Sequence, residues 1–259
     1  MLIESSFVIP VWFKKGQKGK EHSAEVLWWA WKCLKRVLEV TPRDKFELII
    51  VDNGSDNFLT KDDNGTIIST EEYFKHADVL IRNEENLGYG GGMSAGIAVA
   101  KGKYIFCLEN DVLPFPGWYE GMISAFSIDD KIGLVQPWSV PFRGKRVALT
   151  IKYDDPNLTW TGKKMYEWGK EWGAVHCTPK WIFEEIKRRY GYYFNPIFKR
   201  GYCEDKNLYK EIRVLGKETL RTYYSAVFHS TGTSFAYDPD AKRRMYSNRI
   251  LLRERWNKK

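Results

Sequence analysis

The segment from Asn86 to Trp118 places the strongest constraint on the fold, because it joins a glycine-rich turn to an apolar strand that ends in acids. The glycines that would let the backbone approach a ligand closely are Gly88, Gly90, Gly91 and Gly92. A helix is predicted over 94–100 and a strand over 103–108, and Glu109-Asn110-Asp111 follows that strand directly. Ligands of open α/β sheets lie beyond the carboxyl ends of the strands. Two carboxylates beside an Asn at such an end suit a divalent cation that carries phosphate oxygens.

The flanking sequence predicts an α/β fold. A first strand over 6–13 should end near Pro10, and a helix capped by Ser23 should follow over 23–40. A second strand over 46–51 ends in Asp52-Asn53-Gly54-Ser55, again an acid before a tight turn. Because strands alternate with helices, we predict a mostly parallel central sheet flanked by helices. Other predicted strands cover 78–82, 132–137, 172–178 and 219–228, and other predicted helices cover 71–77, 118–127, 179–189 and 208–215. Segment 56–70 is expected to be a loop, and 138–170 is expected to consist of loops or an insertion.

Size and composition allow one large domain or two small ones, since 259 residues can bury a substantial core. No apolar run approaches the ~18–20 residues of a membrane span, and the apolar patch over 7–13 is too short for a signal peptide. The four cysteines lie far apart and form no CxxC pair. This spacing favours reduced thiols and a cytoplasmic location over a disulfide or zinc framework.

The net charge of +8 is concentrated near the C-terminus. Between Lys242 and Lys259, eight basic residues stand against a single acid, Glu254, which accounts for nearly the whole excess. Such a tail indicates an anionic partner, for example nucleic acid, a lipid surface or a phosphorylated acceptor. The alternative is a solvated helix that only keeps the protein soluble.

A second group of polar residues lies between Tyr192 and Ser234. Glu204 and Asp205 precede the helix predicted over 208–215, which ends at Gly216, and the strand after it delivers His229. Acids at a helix N-terminus also have a structural role, since they interact favourably with the helix dipole. The remaining histidines are His22, His76 and His176. They are not part of a comparable group of polar residues and are expected to be ordinary surface or core residues.

Together these motifs resemble family 2 glycosyltransferases of the GT-A fold. In that family an Asn-x-Gly, glycine-rich segment leads to a strand that ends in an Asp-x-Asp-type metal motif, which is Glu109-Asn110-Asp111 here. Asp52 matches the acid of the family's Val-Asp-x-Gly-Ser motif. Glu204 and Asp205 match its Glu-Asp-x-Asp-Leu motif, whose later Asp is Asn207 in this chain.

The resemblance implies a role for each matching residue. Asp111 and His229 would bind a metal ion, Mn or Mg, and Asp205 would be the catalytic base with Glu204 as its neighbour or substitute. The positions implied to contact the nucleotide sugar are Pro10, Trp12, Asp52, Asn86, Gly88, Gly92, Glu109 and Asn110. One GT-A domain over 1–259 is implied, with a donor half over about 1–115, an acceptor half over about 116–235 and a basic C-terminal helix over 236–259.

The implied activity is transfer of a sugar, most often from a UDP-sugar, to a hydroxyl acceptor with inversion at the anomeric carbon. The acceptor stays open between a glycan or lipid-linked saccharide, with the basic tail at a membrane surface, and a hydroxylated DNA base. Basic groups and many Trp and Tyr would fit phosphate contact and base stacking in the second case. A nucleotidyltransferase and a non-catalytic nucleotide-sugar or nucleic-acid binding module are the alternatives from other classes.

Overall fold

The computed structural model describes residues 3–14, 20–140, 166–169, 173–198, 201–230 and 240–257. The strands are β1 (Ser5–Val11), β2 (Phe46–Asp52), β3 (Leu59–Lys61), β4 (Ile67–Ser69), β5 (Val79–Arg82), β6 (Tyr104–Leu108), β7 (Val112–Pro114), β8 (Ile132–Val140), β9 (Tyr166–Trp168), β10 (Val175–Pro179) and β11 (Glu218–His229). The helices are α1 (Lys20–Val40), α2 (Thr70–Phe74), α3 (Gly88–Val99), α4 (Trp118–Ala125), α5 (Lys180–Tyr190), α6 (Glu204–Val214) and α7 (Ala241–Trp256).

A mixed, mostly parallel sheet forms the centre of the molecule and confirms the predicted α/β class. Its strand order is β5-β2-β1-β6-β10-β8-β11-β7, and β9 pairs with β11. Parallel ladders join β1 to β2 and β6, β2 to β5, and β8 to β11, and they contain most of the paired residues. Antiparallel pairing is confined to β7, β9 and β10 in this sheet.

Apolar side chains cover both faces of the sheet, because successive residues of a strand point to opposite sides. Along β1, Phe7 packs into the core cluster under α1 and α4, while Val8 packs into the cluster under α3, α5 and α6. Phe7 and Phe106 both pack against Trp118 in edge-to-face geometry, and the Trp118 indole N–H donates to Thr41 Oγ1 at 2.8 Å. The helices on the two faces therefore hold the carboxyl ends of β1, β2 and β6 in a fixed arrangement.

Of the two predicted boundaries near the N-terminus, one is confirmed and one is wrong. Strand β1 ends at Val11, one residue beyond Pro10 and thus near the proline as predicted. Pairing with β6 ends at Val8, so Pro10 has a neighbouring strand on one side only, where a missing N–H is tolerated. Helix α1 begins at Lys20, so Ser23 lies inside the helix and is not its N-cap.

The glycine-rich segment is also placed differently from the prediction. Helix α3 begins at Gly88, and most of the glycines expected in a turn are helical. Gly96 explains why the helix needs small residues, because a Cβ there would lie 2.3 Å from Val8 Cγ1 on β1. Glycines in α3 thus serve close packing of the helix on the sheet.

The predicted loops contain three short strands. Segment 56–70 holds the β3–β4 hairpin around a turn at 62–65, in which Asp62 Oδ1 accepts the backbone N–H groups of Asn64 and Thr66. Strand β7 follows the acidic cluster, and β9 lies within 138–170, of which 141–165 and 170 fall outside the described residues.

The proposed division into donor and acceptor halves stays a prediction. In the described ranges, no helix has both the length and the apolar character to cross a membrane.

Candidate active site

Strand pairing explains why His229 meets the acidic cluster although 118 positions separate it from Asp111 in the chain. Strand β6 ends at Leu108, and the chain passes through Glu109 and Asp111 into β7. Strand β11 runs antiparallel to β7 with His229 opposite Val112, and the N–H of Ser230 donates to the carbonyl of Asp111 at 3.1 Å. The end of β11 therefore lies beside the acids.

Glu109, Asp111 and His229 form a cluster that can hold a metal ion. His229 Nε2 lies 2.9 Å from Glu109 Oε2 and 3.2 Å from Asp111 Oδ1. One ligand atom from each side chain lies within 4.8 Å of the others. Two carboxylate oxygens and one imidazole nitrogen suit Mn²⁺, and the carboxylates also suit Mg²⁺. The donor set therefore fits the divalent cation that the sequence predicts.

The charge balance at His229 bears on metal binding. Burial alone would lower the pKa of His229, but hydrogen bonds and charge attraction from Asp111 and Glu109 outweigh burial and raise the pKa to about 10. Near neutral pH the imidazole is thus protonated in the metal-free protein, and a metal ion must displace that proton.

We expect Mn²⁺ affinity to rise with pH by about tenfold per unit between roughly pH 6 and 8, because binding releases one proton from His229. Calorimetric titrations in buffers of different ionisation enthalpy would count the released protons. His229→Asn should bind more weakly and release no proton at this position. Affinity that is equally independent of pH in both proteins would contradict the assignment.

A second pair of carboxylates is presented by an unusual turn before α6. Tyr202 and Cys203 have φ values of 73° and 75°, and no other non-glycine residue among those described has positive φ. Left-handed backbone costs on the order of 1–3 kcal/mol for such residues and persists only where the surroundings enforce it. The turn leads into Glu204 and Asp205, which open α6 and line the same cavity as Glu109 and His229.

A cavity of about 310 Å³ lies between the metal cluster and this carboxylate pair. It is lined by Tyr89, Glu109, Gly173, Gly201, Tyr202, Cys203, Glu204, Asp205, Lys206, His229, Met245 and Arg249. Asp111 is 3 % exposed and lies beneath His229 and Glu109. The structure therefore brings together the predicted base, its neighbour and the predicted metal ligands around one space.

Both carboxylates of the pair are buried, and burial raises their pKa values. The pKa of Glu204 reaches about 8, although the N–H groups of Glu204 itself and Gly90 act in the opposite direction. Neither oxygen of Glu204 makes a hydrogen bond of good geometry within the described residues. Burial also raises the pKa of Asp205, against a lowering effect of the Lys206 N–H. A Cβ at Gly173 would lie 2.5 Å from Asp205 Oδ2, so the glycine makes room for this carboxylate.

The predicted donor-binding residues gather at the carboxyl ends of β1 and β2. A Cβ at Gly92 would lie 2.9 Å from both Pro10 Cβ and Asn53 Nδ2, so α3 rests on these two residues. Asp52 accepts the Ser55 N–H at 2.8 Å, and Asn86 accepts the Gly88 N–H at 2.7 Å. Asp52 and Asn86 thus shape the two turns that frame this edge of the sheet.

Two further predicted residues lie at the same edge. Trp12 is half-buried just beyond the end of β1, and Asn110 is buried between the two acids of the cluster. A Cβ at Gly90 would lie 3.6 Å from Glu204 Cβ. The start of α3 therefore contacts the carboxylate pair as well as the predicted donor-binding residues. The roles of all these residues toward a nucleotide sugar stay predictions.

Sequence reasoning missed the part of the site that α7 supplies. Met245 and Arg249 line the cavity. Asn248 is 5 % exposed, and its side-chain Nδ2 donates to the carbonyls of Gly201 and Tyr202 at 2.8 and 3.0 Å. Only the implied basic C-terminal helix over 236–259 pointed to this element, and it named no site residue there. Tyr89, whose hydroxyl donates to the Gly173 carbonyl at 3.3 Å, was also missed.

Two solved structures share this fold. The crystal structure of GalNAc-T7 with UDP, GalNAc and Mn²⁺ has a TM-score of 0.65 and 18 % sequence identity, covering 98 % of this chain and 49 % of that one. The crystal structure of S. aureus TarS has a TM-score of 0.56 and 13 % identity, covering 97 % of this chain and 40 % of that one. The chain thus spans half or less of the length of these proteins. No curated protein matches the sequence.

A comparison with models of protein families finds a match that covers most of the chain. The model for glycosyl transferase family 2 matches residues 29–191, which include Asp52, the glycines of α3 and the Glu109-Asn110-Asp111 cluster. Glu204, Asp205 and His229 lie beyond the matched range and join the site through the fold described above. Because the match covers well over half of its residues, this chain belongs to glycosyl transferase family 2.

Proposed function

We propose that the protein transfers a sugar from a nucleotide sugar to an acceptor hydroxyl by a single displacement that inverts the anomeric carbon. One observation carries this proposal: a buried carboxylate pair and a cluster that can hold a metal ion lie at one cavity. The relative solved with UDP, GalNAc and Mn²⁺ supports a UDP-sugar as donor. We also propose a reducing, cytoplasmic location, because all four cysteines are free and buried.

In the proposed reaction, Asp205 accepts the proton of the acceptor hydroxyl as its oxygen bonds to the anomeric carbon. The bond between the anomeric carbon and the diphosphate oxygen breaks, and its electron pair leaves with the nucleoside diphosphate. Asp111, His229 and Glu109 would hold the divalent cation, which when bound neutralises charge on the departing diphosphate.

Glu204 suits a different role from Asp205. With a pKa of about 8 it is mostly protonated at neutral pH, so it can donate a hydrogen bond within the cavity while Asp205 accepts the proton. The protonated carboxyl also limits repulsion between the two neighbouring acids. We therefore assign Asp205 as the base and Glu204 as its hydrogen-bonding neighbour.

The proposal is tested by nucleoside diphosphate release from UDP-, GDP- and dTDP-sugars in the presence of Mn²⁺. We expect slow hydrolysis of one donor by the wild type and its loss in Asp111→Ala, because the cation site loses a ligand. Asp130→Ala, which changes an exposed acid after α4, is the matched control and should keep the activity. Absence of turnover and of binding with every donor would leave a non-catalytic binding module as the better proposal.

A further inference from the structure

One face of helix α7 packs against the rest of the protein. Asn248 binds the turn before α6, the Arg255 guanidinium lies 3.0 Å from Glu211 Oε1, and the Trp256 indole N–H donates to Asn207 Oδ1 at 3.0 Å. Met245 and Leu252 on the flanks of this face are half-buried. The packed face fixes how the remaining faces of the helix are oriented.

The outer face carries a regular row of side chains, Lys242, Tyr246, Arg249 and Arg253, which we call the basic stripe. Their spacing of four, three and four residues places them on one side of a helix, at steps of about 6, 4.5 and 6 Å along its axis. All four are exposed. The stripe therefore offers three cations and one aromatic ring in a line.

The cations of the stripe are available to a partner. Arg243 and Arg255 elsewhere on α7 pair with Asp240 and Glu211. Within the described ranges, no carboxylate forms an ion pair with Lys242, Arg249 or Arg253. Long exposed cations without such partners, spaced about two turns and one turn apart along the helix, are suited to the phosphates of a linear polyanion.

The stripe leads into the site. Arg249 lines the cavity together with Glu204 and Asp205, whereas Lys242 and Arg253 lie to either side of it along the helix. A chain that follows the stripe would pass the mouth of the cavity. One of its units could then enter the cavity and present a hydroxyl to the carboxylate pair.

The composition of α7 favours nucleic acid over a lipid surface. A helix that lies on a membrane needs a broad apolar face, but the outer side of α7 exposes only Tyr246 and Ile250 among large apolar residues. Tyr246 is 69 % exposed and stands between two cations, which is the arrangement on which bases of a single strand stack. Duplex DNA would bury its bases away from such a ring.

We propose that the basic stripe binds a single-stranded nucleic acid, and that the nucleotide reaching the cavity is the acceptor. This deepens the proposed sugar transfer and rests on it for the acceptor role. The binding itself depends only on the stripe, so it can be tested without a nucleotide sugar.

The test measures anisotropy of a labelled single-stranded oligonucleotide of mixed sequence in a salt series from about 50 to 200 mM. For Lys242→Gln/Arg253→Gln we expect affinity more than about tenfold weaker and a salt dependence shallower by about 1.4 in the log–log slope, because each single-strand phosphate contact contributes about 0.7. Tyr246→Ser should weaken binding about fivefold or more through lost stacking.

Lys101→Gln/Lys103→Gln is the matched control, since it removes two exposed lysines at the opposite, amino-terminal end of β6. Equal losses in the control and stripe variants would overturn the proposal, because the binding would then reflect net charge alone. Tighter binding of duplex, or sedimentation with phosphatidylglycerol vesicles without oligonucleotide binding, would also overturn it.

Donor hydrolysis by the wild type separates the two proposals. If the protein hydrolyses a nucleotide sugar but binds no oligonucleotide, the stripe proposal fails and the transferase proposal stands. If it binds the oligonucleotide through the stripe but uses no donor, binding by the stripe stands and the acceptor role fails with the transferase proposal.

Discussion

Replacing Asp205 with Asn should lower kcat for sugar transfer by about 10³-fold, because the amide cannot take the proton of the acceptor hydroxyl and general-base catalysis contributes about 10²–10⁴. Donor affinity should change little, since Pro10, Trp12 and Asp52, the predicted donor residues at the ends of β1 and β2, are not among the residues that line the cavity with Asp205. Steady-state transfer rates would give kcat, and calorimetry would give the donor affinity separately.

The pH profile distinguishes loss of a base from a structural effect. Because burial raises the pKa of Asp205, wild-type kcat/KM should fall as pH drops through that raised pKa, where the carboxylate becomes protonated. Asp205→Asn should lose this acid limb, and Asp130→Asn should keep it. If Glu204→Gln removes the limb and Asp205→Asn does not, the base assignment must be exchanged between the two residues.

The apolar pattern was sufficient to predict the central strands. Segments 46–51 and 103–108 contain apolar residues on both faces, and both became buried strands with acids at their carboxyl ends. The same pattern could not predict the direction of each strand. The strand predicted over 172–178 became β10, which is antiparallel to β6, because the pattern of side chains along a strand does not encode its direction.

Packing decided the details that local patterns could not predict. Gly88 and the glycines after it favour a turn by composition, yet they form the start of α3 because the helix must approach Pro10 and Val8 closely. Likewise, nothing in the residue types of Tyr202 and Cys203 indicates left-handed backbone. That conformation depends on contacts with distant parts of the chain, and Asn248, some 46 residues away, supplies two of them.

Asn248 should accordingly influence catalysis without touching the substrate. Its side-chain amide donates both hydrogens to the carbonyls of Gly201 and Tyr202, in the turn that directs Glu204 and Asp205 into the cavity. Asp has nearly the same shape but lacks these donors, so Asn248→Asp leaves two carbonyls facing a carboxylate. We expect unfolding free energy to fall by about 1–3 kcal/mol. We also expect kcat to fall by up to about 10²-fold, because small displacements of catalytic groups have effects of this size.

A fall in kcat without a matching fall in donor affinity would identify Asn248 as a positioning residue. The turn holds the carboxylate pair, whereas most of the predicted donor residues lie on or next to β1, β2 and α3. Donor affinity should therefore stay within about threefold of the wild type while kcat falls. Ser247→Ala, on an exposed neighbouring position of α7, is the matched control and should match the wild type in stability and rate. A lower melting temperature for Asn248→Asp with unchanged kcat would show that the left-handed turn keeps its geometry without these two bonds. In that case the metal cluster and α6 alone would determine where Asp205 stands.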